Sequence, residues 1–81
     1  MDDNEVQNHI ETLVAEEQEL YAAAARPGGH SVDERARLDE IKVSLDRYWD
    51  LLRQRRAQEE FGLDPDAVSM RPEQTVERYK Q

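Results

Sequence analysis

The sequence contains no cysteine. Disulfides and thiolate metal sites are therefore excluded, and the redox compartment cannot be read from cysteine usage. Glycine and proline are scarce, at three each, so the chain has few places to turn. No apolar run approaches the roughly 18–20 residues that a membrane span requires. The opening Met1-Asp2-Asp3-Asn4-Glu5 lacks the basic and apolar regions of a secretory leader, and a cytoplasmic location is the default expectation. The first 25 residues contain no base at all. The formal charge of the whole chain is −8, which makes nucleic acid and anionic lipid improbable partners, because phosphate binding needs a basic field.

What is present is a pattern of helices. Eighty-one residues make one short domain, and a chain of this size hides only about 60–65% of the surface its unfolded form exposes. Val6, Ile10, Leu13, Leu20 and Ala24 follow one stripe of a helix, with Glu17 between Leu13 and Leu20 and with Val14 and Tyr21 on its flank. Alanines 22–25 extend this helix at little cost, and Arg26-Pro27-Gly28-Gly29 stops it. The spacing predicts a first helix over about residues 3–26. Ser31-Val32-Asp33-Glu34 is a capping box that opens a second. Leu38, Ile41, Leu45, Tyr48 and Leu52 then form a heptad seam, flanked by Val43 and Trp49, and Phe61-Gly62 ends the helix near residue 61.

Two long helices with a short loop imply an antiparallel hairpin. A turn near Gly28-Gly29 sets facing residue numbers to a sum of about 58. Leu20 then meets Leu38, Leu13 meets Leu45, Ile10 meets Tyr48, and Val6 meets Leu52. Charge agrees: residues 1–25 are net −7, residues 26–60 net zero, and residues 61–81 net −1. The acids Asp2, Asp3 and Glu5 come near Arg53, Arg55 and Arg56 in this register, an orientation that the helix macrodipoles also favour. In the tail, residues 62–81, Asp64-Pro65-Asp66 reads as an N-cap followed by proline at N1, and Arg71-Pro72-Glu73 repeats the device. Leu63, Val68, Met70, Val76 and Tyr79 should pack back near Trp49, Phe61 or the N-terminal turn, or onto a second chain. The expected architecture is all-α: one domain spanning 1–81, a two-helix hairpin with a partly helical tail, dimerising into a four-helix bundle that covers Val14, Tyr21, Val43, Trp49 and Leu51.

The chemistry-bearing residues are few. His9 follows Glu5 by four residues, a chelating spacing, but no second helix offers a matching histidine. His30 reads as a loop residue. Glu17 should reach Arg37 or Lys42 from the apolar stripe. With three serines, two threonines and no cysteine, the chain supplies neither a nucleophile–base set nor a phosphate-binding loop. Neither a metal nor a cofactor is expected, and the chain reads as non-enzymatic. The candidate interaction surface consists of Trp49, Tyr48, Arg53, Arg55, Arg56 and Tyr21. Helical chorismate mutases also carry a long helix with an arginine near its end. Their pockets gather basic residues from three helices, a set that this chain does not offer.

A wider resemblance runs through Ser31-Val32-Asp33-Glu34-Arg35-Ala36-Arg37-Leu38, Trp49-Asp50-Leu51-Leu52-Arg53-Gln54-Arg55-Arg56-Ala57, Asp64-Pro65-Asp66, Arg71-Pro72, Val76-Glu77 and Tyr79. These segments resemble a family of short, uncharacterised bacterial proteins, a domain of unknown function. Its most specific part is Trp-Asp-Leu-Leu-Arg-Gln-Arg-Arg. The resemblance implies a compact bacterial protein and transfers no active site. The expected function is thus a small interaction or adaptor module, homodimeric and with a protein partner still to be identified. The alternative is a small regulator that grips an anionic ligand or nucleic acid through Arg53, Arg55 and Arg56.

Overall fold

The computed structural model describes residues 1–72. Two helices pack against each other as a hairpin: α1, Asp3–Ala23, and α2, Val32–Glu60, followed by a single 3-10 turn at Pro65–Ala67. The expected turn after Arg71-Pro72, with Val76 and Tyr79, lies outside the described residues.

Each helix end has an identifiable cause. Asp2 caps α1, its carboxylate accepting from the Glu5 amide at 2.8 Å. The capping box of α2 is closed in both directions: the Glu34 amide donates to Ser31 Oγ at 3.1 Å, and the Ser31 amide to Glu34 Oε1 at 3.0 Å. Beyond Glu60, the Gly62 amide donates to the Glu59 carbonyl and the Leu63 amide to that of Gln58. This is a Schellman closure, with Gly62 at φ +71° where a side chain would be strained. α1 ends at Ala23, three residues short of the expected limit. The amides of Ala24, Ala25 and Arg26 bond three residues back instead of four, tightening the last turn. The Leu20 carbonyl thus given up by the helix accepts from His30 Nε2. Alanine propensity is overridden here by the need to turn the chain at Pro27 and at the left-handed Gly28 and Gly29.

The predicted register is recognisable in cross-helix contacts. Asp3 bonds Arg55, His9 stacks on Tyr48, and Glu16 bonds Arg37, pairs whose numbers add to 58, 57 and 53. Val6, Ile10, Ile41, Leu45, Leu51 and Leu52 form the buried core, and Leu13, Val14, Leu20, Tyr48, Val68 and Met70 pack against it. The core is lopsided. Val6, Ile41 and Leu52 are fully enclosed and Leu38 is buried, whereas Leu13 and Leu20 of α1 are only half-buried. Two helices alone cannot surround a side chain, and Val68 and Met70 of the tail pack against the buried cluster as a third wall.

Candidate functional site

Arg53, Arg55 and Arg56 sit side by side in sequence but not in space. At about 100° per residue, Arg55 falls on the opposite side of α2 from Arg53. Arg53 and Arg56 are exposed; Arg55 is only 4% exposed. Its guanidinium donates from Nε to Asp3 Oδ1 at 2.6 Å, from Nη1 to Asp66 Oδ1 at 2.8 Å, and from Nη1 to the Pro65 carbonyl at 3.3 Å. One side chain of α2 therefore holds both the start of α1 and the 3-10 turn of the tail. The two hydrogen-bonded carboxylates, Asp3 first and Asp66 second, raise the Arg55 pKa further above its already high value. The Arg55 hydrogen bond and its charge hold Asp66 below the usual carboxylate range.

A second contact carries the tail further along α2. Asp50 is 5% exposed, accepts from Gln54 Nε2 at 2.9 Å, and lies 3.5 Å from Arg71 Nε. Arg47 Nε donates to the Arg71 carbonyl at 3.1 Å, and Gln58 Nε2 to the Asp64 carbonyl at 3.2 Å. Arg47, Leu51, Arg55 and Gln58 are thus one stripe of α2 along which the tail runs. Leu51, expected on an uncovered flank, is buried in this stripe. Trp49 is about 200° from Leu51 around the helix, is 44% exposed, and does not lie under the described part of the tail.

The other candidate residues divide between core and surface. Tyr48 is half-buried, its ring 5.1 Å from that of His9 and within 6° of parallel. His9 is therefore an exposed stacking partner. Among the described residues no group of three or more histidines, cysteines or acids could hold a metal ion. Arg37 is taken by Glu16, through bonds of 2.5 and 2.9 Å, and not by Glu17. Glu16 is the better placed because it lies outside the apolar stripe, on the flank of α1 beside Arg37. Lys42 sits 5.7 Å above the ring of Tyr21, which is half exposed. A groove beside Trp49 is lined by Gln7, Ile10 and Glu11 of α1 and by Leu52 and Arg56 of α2. Among the described residues no helix is long and apolar enough to cross a membrane.

Asp66, Asp50 and Arg71 were missed by sequence reasoning, since the Asp64-Pro65-Asp66 signal specifies a turn and not its target. For Arg55 a signal existed. The seam of Leu38, Ile41, Leu45, Tyr48 and Leu52 continues at the same spacing to position 55, and the seam of α1 runs back from Val6 to position 3. The apolar seam thus ends in an ion pair at matching positions.

No solved structure matches the chain. Uncharacterised proteins of Mycobacterium tuberculosis (strain H37Rv) and Mycobacterium bovis are each 44% identical to it over 77 residues, 95% of this chain and 88% of theirs. The model of the DUF2630 family, described as proteins of unknown function, matches residues 2–81, and the chain belongs to that family.

Proposed function

We propose that this protein is a small, non-enzymatic interaction module that works in the cytoplasm through its helical surfaces. The observation that carries this reading is the side of the hairpin left open among the described residues, where Trp49 and Tyr21 stand exposed beside Lys42 and Arg56. Exposed aromatics with a cationic rim are the composition of a protein-binding surface. Apolar rings gathered on one face, unlike singly scattered ones, are what a binding role accounts for. The rival reading, an arginine grip on an anionic ligand or nucleic acid, is weakened at its centre. Arg55 is enclosed and bonded to two carboxylates, and only Arg53 and Arg56 remain for an outside partner.

The test places a photo-crosslinking amino acid at position 49 in cells and compares it with one at Ala36, which is exposed on α2 away from this face. A discrete adduct from position 49 and none from position 36 supports the reading. Absence of any adduct from position 49 refutes it.

A further inference from the structure

The uncovered face is more regular than isolated exposed aromatics would be. On α2, Arg35, Lys42, Trp49 and Arg56 recur every seven residues and are all exposed. A seven-residue step drifts only about 20° around a helix, so the four form one stripe. On α1, Gln7, Glu11, Val14, Gln18 and Tyr21 follow 4-3-4-3 spacing, a second seam beside the one that faces α2. Two contacts show that both stripes open on the same side: Lys42 lies over Tyr21 near the loop, and Trp49 and Arg56 share a groove with Gln7 and Glu11 at the other end.

Among the described residues the charges on this face are unbalanced. Among the described residues Arg35, Arg53 and Arg56 form no ion pair, and the contact of Lys42 is with a ring. The α1 helix meanwhile has acids and no base. A second copy would supply what each helix lacks, provided that α1 of one copy rests on α2 of the other.

We propose that this face is where two copies of the chain meet, related by a twofold axis parallel to the helices. Only that axis sets α1 on the partner's α2. A twofold axis perpendicular to the helices sets α1 on α1 instead, opposing two helices of net negative charge. The parallel axis also keeps every residue at its own height. Arg53 and Arg56 then lie level with the partner's acidic first turn, because Asp3 and Arg55 are already level within one hairpin. Trp49 packs between the partner's Gln7 and Glu11. The broad face, within a molecule 53 × 27 × 15 Å, has room for the roughly 800 Å² per partner of a standard interface.

This inference rests on the interaction-module reading and names its partner as a second copy. Light scattering on the full chain at high micromolar concentration should give twice the chain mass. The chain has one tryptophan, so its emission should shift to longer wavelength as the dimer dissociates on dilution. Trp49→Ala and Lys42→Glu should each weaken association at least tenfold with the helical circular dichroism unchanged, since both side chains are exposed. The orientation is read with single cysteines in the cysteine-free chain: Gln7→Cys and Arg53→Cys, mixed, should form the mixed disulfide. A dimer indifferent to both substitutions, or one lacking the 7–53 cross-link, overturns the proposal. So does a monomer at high micromolar concentration. If that monomer still yields a position-49 adduct with a different protein, the module reading survives without self-association; if it yields none, both fall.

Discussion

Replacing Arg55 with alanine tests the central contact of the fold. Arg55 is enclosed, but its partners are not: the side chains of Asp3 and Asp66 are 35% and 69% exposed. Deleting the arginine therefore leaves two carboxylates that water can reach, so the full 3–5 kcal/mol of breaking a buried pair does not apply. What is lost is a set of charge-assisted hydrogen bonds and the packing of the buried stem, together about 2–4 kcal/mol. For a domain of this size that lowers the melting temperature by on the order of 10–25 °C, measured by circular dichroism at 222 nm. Removing the acids instead should behave differently. Asp3→Asn or Asp66→Asn alone leaves the guanidinium one carboxylate, whereas the double variant leaves a buried charge with none. The double loss should then exceed the sum of the single losses. A loss under about 0.5 kcal/mol for Arg55→Ala, the scale of a surface change, or strict additivity of the two acid variants, would show that Arg55 does not hold the three segments together.

Three further outcomes are expected. Asp66 has its pKa depressed in the folded state, so its contribution is present above the ordinary carboxylate range and is lost as pH falls through the folded value; melting temperatures between pH 7 and pH 2.5 should fall below about pH 4, and less steeply in an Arg55→Met variant. Leu52→Ala should cost about 3–5 kcal/mol and Leu13→Ala about 1–2, because the first is enclosed and the second half-exposed; equal losses in denaturant titrations would contradict the lopsided core. Anisotropy with labelled DNA or RNA at low salt should show no sub-micromolar binding, given the net charge of −8 and the enclosed Arg55.

The hairpin was legible because its determinants are local. Ser31 and Glu34 close their capping box within one turn, Gly62 stops α2 at its own position, and the two seams match in length. Where local and distant demands conflict, local reading fails. The alanines after Ala23 favour helix, yet the turn and the His30 contact end α1 early. The path of the tail was illegible for another reason: Asp66 and Arg71 meet α2 through contacts across 11 and 21 residues, which no short spacing encodes. Arg55 lay between these cases. Its place on the seam could be read, but its position among three arginines suggested a patch.

The cross-helix contacts also carry an order in time. Arg26–Glu34 spans 8 residues, His30–Leu20 spans 10, Glu16–Arg37 spans 21, and Asp3–Arg55 spans 52. Loop-closure entropy rises with span, so the contacts nearest the turn form first and the hairpin zips away from Gly28-Gly29. By this argument the Arg55 contact is expected to close after the folding barrier has been crossed. Its loss should appear in a stopped-flow chevron as faster unfolding with a nearly unchanged folding rate; slower folding would place this contact in the nucleus. Arg55 would then govern how long the folded chain lasts and have little say in how quickly it is made.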